Sequence, residues 1–410
     1  MRILVLTNLY PNPGDRNRAP FNRQQFRALA ALHPVRVIAP IGWVEELAAW
    51  RHGATRLAST RQVVNDGITV DHPRYWYPPR CLRPWHGHFY QASVRTVFRR
   101  AVDEFRPDIV LGSWAYPDGW SAVRLAHEAS LPAVIKVHGC DLLWGLRHNT
   151  DRQSGTREAL RAADAVVAVS SDLANEVVRF GVQPERVRVI YHGVDSTVFY
   201  PGPQTEARAK LELPPHERLL LFVGALVAVK GVDVLLTACA RLRQAGQPFM
   251  CRILGDGPMR AALEKQARDL GIADQVCFLG SRPHHELGDW YRAANIFVLP
   301  SRSEGVPGVL LEAMACGIPF VASRVGGTSE VSHLGVGRLV PSDDPDALAL
   351  GLAEQLTAQS SPPRALPFRD YGQSAAELAD WLTTVLHRRA LPTLSTRRAS
   401  RGVVTVADPR

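Results

Sequence analysis

Short apolar runs of four or five residues recur along the chain, separated by longer stretches whose apolar positions repeat every three or four residues. Runs of the first kind read as strands buried on both faces, and stretches of the second as helices laid over them. In the first half the strand pattern falls at Ile3–Thr7, Val35–Ala39, Ile109–Leu111, Ala133–Val137, Ala165–Val169 and Val187–Ile190. In the second half it falls at Leu219–Val223, Cys251–Leu254, Val276–Leu279, Ile296–Leu299 and Phe320–Ser323, with helices at Val232–Ala245, Met259–Leu270, His285–Ala293 and Pro307–Cys316. A further helix between the last two strands of the first half can be capped by Ser171 or Asp172 and closed by Gly181. This alternation predicts an α/β protein built on parallel sheets.

The turn-rich connector Tyr200-Pro201-Gly202-Pro203 divides the chain into two doubly wound halves. A late helix, Ser374–Leu386, carries Leu378, Leu382 and Val385 at helical spacing and is expected to cross back onto the first half. The aromatic, proline-rich stretch Trp76–Trp85 has no period and reads as a loop. The expected organisation is therefore 1–200, 201–368, a crossover helix at 369–387 and a basic, disordered tail at 388–410.

Composition changes this picture little. At 410 residues two domains are the default, and no uncharged run approaches the length of a membrane-spanning helix. Met1-Arg2 leads directly into a strand rather than a secretory leader, so a cytoplasmic location is expected. The cysteines at 81, 140, 239, 251, 277 and 316 are widely spaced with no Cys-x-x-Cys pair, which favours buried free thiols over disulfides or zinc. The net charge of +9 raises nucleic acid or a membrane as partners, but the tail from Arg388 supplies +5 of it. No nucleic-acid partner is expected. Contact of the tail with the anionic inner face of the membrane is the lesser expectation.

The chemistry concentrates at 301–317. Glu304 and Glu312 stand eight positions apart, the first in a Gly/Pro loop, the second inside the helix that follows. Pro307 suits the first helical position and Gly317 the closing one. The N–H groups of Gly308 and Val309 then face an anion, aided by the helix dipole. Carboxylates there can bind paired hydroxyls. Glu304 as an electrostatic cap and Glu312 on a solvated face fit the bare residues equally well. A second element, Phe222–Asp233, is a strand, a loop with Gly224, then Lys230 before a helix, and it offers a close backbone approach and a point charge for a diphosphate. A third, Val134–Asp141, places His138 and Asp141 after a buried strand, where His138 can bond a sugar hydroxyl or serve only structure. Gly255-Asp256-Gly257-Pro258 reads as a structural junction. The loop Tyr10–Phe21 is made basic, with the helix after it, by Arg16, Arg18 and Arg23.

Together, Val223–Asp233, the Glu304/Glu312 pair, Gly326-Gly327-Thr328-Ser329-Glu330-Val331 and Tyr191-His192-Gly193-Val194-Asp195 resemble the retaining glycosyltransferase family 4 of GT-B fold, over about Met1 to Leu386. The N-terminal loop with Phe21 and Gln25, and Pro73–Pro79, look like a branch that builds bacterial surface polysaccharides. The resemblance implies two Rossmann-like domains around a cleft, a nucleoside-diphosphate sugar as donor and a sugar or polyprenyl-linked acceptor. It also implies retention of anomeric configuration, with no cofactor and no bound metal. By matching position, Glu304 would contact the donor sugar, Glu312 the ribose and Lys230 the diphosphate. Gly224, Gly308 and Val309 would line the donor, and His138 would sit over the reacting sugar. The loop Leu279–His285, with Arg282 and Pro283, would frame the base. The catalytic set expected is Glu304, His138 and Lys230.

The sequence departs from the family pattern at two positions. Ala225 replaces the arginine after the glycine, and Pro307 replaces a loop glycine. Arg18 or Arg302 is the expected substitute for the missing guanidinium. The alternatives are a nucleotide-sugar epimerase of the same fold, or a non-catalytic sugar-nucleotide binder. A dinucleotide dehydrogenase is disfavoured because neither half has Gly-x-Gly-x-x-Gly after its first strand.

Overall fold

The computed structural model describes residues 1–51, 61–79, 81–139, 141–142, 152–358 and 369–390. Two sheets organise them. The first has eight strands in the order Val187–Val189, Ala165–Ala168, Ala133–Val137, Ile109–Ser113, Ile3–Leu6, Val35–Ile38, Ile68–Asp71 and Gln62–Asn65, all parallel except the last. The second has six parallel strands in the order Val276–Gly280, Met250–Leu254, Leu219–Val223, Ile296–Leu299, Phe320–Ser323 and Gly337–Val340. Alternate residues of each central strand enter different cores. Leu4 and Leu6 pack with Tyr90 and Phe98, while Ile3 and Val5 pack with Phe26 and Leu29. Leu219 and Leu221 pack with Phe297 and Leu310, while Leu220 and Phe222 pack with Leu235 and Ile253. Burial on both faces is why these strands read as unbroken apolar runs.

Several elements lie outside the pattern reading. The antiparallel edge pair Gln62–Asn65 and Ile68–Asp71 turns at Asp66 and Gly67, whose φ values are +50° and +78°. That is the geometry for which an Asp-Gly pair is suited. The 20-residue helix His86–Phe105 runs through a region where the pattern predicts no helix. Its buried stripe includes Gly87 and Gln91 beside Tyr90, Val94 and Phe98, which blurs the apolar signal. The expected loop Trp76–Trp85 follows a short pairing of Arg74–Tyr75 with Ile41–Gly42 and ends in a 3-10 turn, Arg83–Trp85.

Helix ends shift by one residue in two places. Ser170, not Ser171 or Asp172, caps the helix Ser171–Arg179, accepting from the Leu173 N–H at 3.1 Å. Pro307 is the residue before the helix Gly308–Ala315 rather than its first, with ψ at 109°. Gly317 closes that helix at φ +76°.

The last helix, Tyr371–Ala390, crosses back. Leu378 and Leu382 are fully buried beside Ile3, Val5 and Phe26 of the first core. It ends later than expected, and Arg388 donates to the Glu185 carbonyl at 2.8 Å, so the first tail arginine is fixed to the first lobe. Residues 391–410 lie outside the described residues. The two passages between lobes run side by side. The Val194 N–H donates to the Arg369 carbonyl at 2.9 Å, and a Cβ on Gly193 would stand 2.4 Å from the Tyr371 nitrogen. Cys239, Cys251 and Cys316 are buried free thiols, whereas Cys81 is exposed, against expectation. Cys140 lies outside the described residues.

Candidate functional site

Glycines build this site by letting three loops touch. Lys230 ends the 3-10 turn Ala228–Lys230, and Gly231 follows at φ +65°. A Cβ on Gly231 would lie 2.0 Å from the Pro300 carbonyl oxygen, so only glycine lets the turn press against the end of the strand Ile296–Leu299. That contact delivers Lys230 to the loop starting at Ser301. Lys230 Nζ lies 2.7 Å from Glu304 Oε1, and Ser301 Oγ donates to the same oxygen at 2.6 Å. Glu304 is 5% exposed. The helix Gly308–Ala315 begins four residues on, and a Cβ on Gly308 would meet nothing within 4 Å. Position 308 therefore has room on its side-chain side, while Gly308 and Val309 themselves are half-buried.

The same loop meets the other lobe. A Cβ on Gly305 would stand 2.3 Å from the His138 carbonyl oxygen, and one on Gly139, at φ +109°, would stand 2.5 Å from the Gly305 nitrogen. Gly327 closes on the Gly305 carbonyl at a hypothetical 1.9 Å. Three residues further on, Glu330 accepts from the Ser171 and Asp172 N–H groups at 2.8 and 2.7 Å and from the Tyr191 hydroxyl at 3.0 Å. The second lobe thus supplies a carboxylate to two helix-end donors of the first.

His138 is partly buried where the strand Ala133–Val137 ends. Its Nε2 lies 2.8 Å from Ser113 Oγ, and its ring forms a triangle with Phe21, at 5.0 Å, and the nearly parallel His192, at 5.7 Å, which are 5.4 Å from each other. Burial, then the charge of Lys136, then His192, hold its pKa well below the usual 6.5, so the imidazole is neutral. Asp141 shapes the loop itself, accepting from the N–H groups of His138, Gly139 and Ala115 at 2.8–3.1 Å.

Glu312, buried in the helix, accepts from the Tyr291 hydroxyl at 2.9 Å and pairs with His284 Nε2 at 2.9 Å. Burial disfavours the His284 cation, but the hydrogen bond and charge of Glu312 outweigh it and raise its pKa. Arg282 is exposed, and Pro283 begins the turn that brings His284 to Glu312. The Gly224 N–H is engaged by the Leu254 carbonyl at 2.9 Å, and its own carbonyl is covered by Gly255, where a Cβ would come within 1.9 Å. That close packing makes the 255–258 junction structural.

Neither expected substitute for the missing arginine stands ready. Arg302 is held by Asp233 at 2.7 Å and Asp343 at 2.6 Å, and Arg18 pairs with Glu45. Both guanidiniums are committed to carboxylates. Arg23 likewise pairs with Asp66 at 2.7 Å, so the N-terminal loop is less basic than its residues imply. Ser301, Ser113 and His192 join the site without being expected there. His192 lies inside the segment Tyr191–Asp195, so that segment is the available signal; a serine three positions before an acid carries none.

Comparison with known proteins agrees with this architecture. The family model for glycosyl transferases group 1 matches residues 203–373, and that for glycosyltransferase family 4 matches residues 21–198. The chain is 41% identical over 203 residues to D-inositol 3-phosphate glycosyltransferase 1 of Catenulispora acidiphila, covering 47% of this chain and 49% of that protein. It thus spans about half the length of that relative. It is 29% identical over 339 residues to the putative teichuronic acid biosynthesis glycosyltransferase TuaC of Bacillus subtilis, covering 81% and 83% of the two chains. The crystal structure of Anabaena Alr3699/HepE in complex with UDP-glucose superposes with a TM-score of 0.67 at 19% identity, covering 95% of this chain and 98% of that one. Two Rossmann-like halves facing each other across the Gly139–Gly305 contact are the GT-B fold, and the chain belongs to the group 1 and family 4 glycosyltransferases.

Proposed function

We propose that this protein transfers a hexose from a nucleoside-diphosphate sugar to a sugar or polyprenyl-linked acceptor, with retention of configuration and without a metal ion, as a step in making a cell-surface polysaccharide. The observation that carries this reading is the Lys230–Glu304 pair beside the start of the helix Gly308–Ala315, on the loop whose Gly305 meets the His138 carbonyl of the other lobe. The donor pyrophosphate would lie on the Gly308 and Val309 N–H groups, where the helix dipole favours negative charge. Lys230 would stabilise the charge that grows on the departing phosphate. Glu304 would hold sugar hydroxyls, and Glu312, already fixed by His284 and Tyr291, would accept from the ribose. The neutral His138 imidazole can hold a sugar hydroxyl without adding a competing positive charge. The acceptor hydroxyl would approach on the face the diphosphate leaves, and the phosphate itself would take its proton.

The test is a thermal-shift screen over UDP-, GDP- and ADP-sugars, followed by product analysis with EDTA present. A donor well above its Kd raises Tm, and NMR of the product reads the anomeric configuration. No stabilisation by any nucleotide sugar refutes the reading. An inverted product refutes retention, and a new epimer formed without acceptor identifies an epimerase instead.

A further inference from the structure

A cavity of about 400 Å³ lies in the first lobe, away from the Lys230–Glu304 pair. Its size falls in the range of small-molecule sites, about 300–1,000 Å³. Its walls come from segments that follow three neighbouring strands: residues 12–14 after Ile3–Leu6, residues 41–50, mostly the helix Trp43–Arg51, after Val35–Ile38, and residues 74–76 after Ile68–Asp71, with Arg61 beside them. This is the rim on which His138 stands, following Ala133–Val137. The helix Pro20–Ala30, which follows the loop carrying Asn12–Gly14, bears Phe21, whose ring packs 5.0 Å from His138.

Indole rings and paired charges make up the lining. Trp43 and Trp76 stack at 5.8 Å, and Trp43 is fixed by donating to the Tyr77 carbonyl at 2.7 Å. Trp76 is 54% exposed, although it faces a built wall. Glu46 is gripped by Arg61 at 2.8 and 3.2 Å and by Arg74 at 2.8 Å. The Arg74 guanidinium also lies 5.3 Å from the Trp76 ring centre. Flat apolar rings beside fixed donors and acceptors match the two faces of a pyranose, one of C–H groups and one of hydroxyls. The lining itself carries two carboxylates, Glu45 and Glu46, and two guanidiniums, Arg61 and Arg74, so its formal charges balance, and both of those arginines are paired with Glu46. A phosphate would find those guanidiniums already paired, and a bare hydrocarbon chain would desolvate the ion pairs without compensation.

We infer that this cavity binds a neutral hexopyranoside unit of the acceptor. The inference rests on the transferase reading above and names the acceptor class for it. The Trp43–Trp76 wall takes the sugar ring face, and the Glu46–Arg61–Arg74 cluster takes its hydroxyls.

The experiment is saturation-transfer NMR on the full chain with maltotriose and cellotriose, with myo-inositol 1-phosphate, and with decaprenyl phosphate in micelles. Wild type, Trp76→Ala and Trp76→Phe are compared. At least one neutral trisaccharide is expected to bind, weakened by about tenfold in Trp76→Ala and recovered in Trp76→Phe, with the nucleotide-sugar Kd unmoved. No binding of either trisaccharide, equal binding by all three proteins, or a Trp76-dependent signal only from the inositol phosphate or the polyprenyl phosphate overturns the inference. Failure of every nucleotide sugar to bind defeats the transferase reading separately, because the trisaccharide titration does not depend on it.

Discussion

Lys230 and Glu304, 74 positions apart in sequence, form an ion pair of 2.7 Å whose carboxylate is almost wholly buried. Ser301 bonds the same oxygen, so the pair is fixed before any ligand arrives. Such preorganisation is what electrostatic catalysis requires, since the groups need not rearrange as charge develops.

Removing either partner breaks the 2.7 Å pair. Lys230→Ala and Glu304→Gln are each expected to lower kcat by about 100-fold or more, the loss typical of one electrostatic group in a catalytic site. Steady-state rates with a confirmed donor measure this. Near wild-type turnover in both variants contradicts the assigned roles.

Gly305 has no room for a methyl group beneath the His138 carbonyl. Gly305→Ala must push the lobes apart or bend the loop that carries Glu304. Turnover should fall by about tenfold or more, because small displacements in a positioned site are costly. The crossover helix is untouched and the core side chain the methyl crowds is Val169, at 3.1 Å, so Tm is expected to drop by no more than a few degrees, about what 1 kcal/mol produces in a chain of this size. A large loss of Tm with normal turnover would show the glycine to be a folding requirement only.

Glu330 joins the lobes through two backbone donors and the Tyr191 hydroxyl. Glu330→Ala should weaken the closed arrangement by about 1–2 kcal/mol, the range for a half-exposed carboxylate on helix-end N–H groups. Small-angle scattering of the unliganded protein is expected to show a larger radius of gyration than wild type. Glu330→Gln, which keeps one acceptor, should fall between them. Superimposable curves for all three proteins would remove Glu330 as a latch.

Lys136 is fully buried in the strand Ala133–Val137 and bonds Gln25. Burial lowers its pKa from 10.5 to about 7. The unfolded chain therefore binds more protons than the folded one between those values, and this residue makes stability rise as pH increases through that window. Lys136→Met should flatten the profile and raise Tm most below the folded pKa, where the native lysine is charged without solvent. Calorimetry at about pH 6 and about pH 9 reads the difference. Parallel profiles for the two proteins would show that Lys136 does not set the pH dependence.

The central strands are legible in the sequence because burial on both faces leaves an uninterrupted apolar run, as at Leu219–Val223. Lys230, Glu304 and Glu312 are legible because their spacing follows strand–loop–helix units, which place loop residues at one rim. The helix His86–Phe105 is hidden because Gly87 and Gln91 sit on its buried side. The contacts among Gly139, Gly305 and Gly327 are hidden for a different reason. Each glycine answers to backbone far away in sequence, and no local pattern records such a neighbour. The commitment of Arg18 to Glu45 and of Arg302 to Asp233 and Asp343 is equally out of reach, because ion pairing depends on the assembled fold.

The adjacent strands of chain that tie Val194 to Arg369 act as the spine of a book. Glu330 reaches Ser171 and Tyr191 only three residues before Val194, so the binding is stitched close to its spine, and the contact of Gly139 with Gly305 is a second seam between the covers.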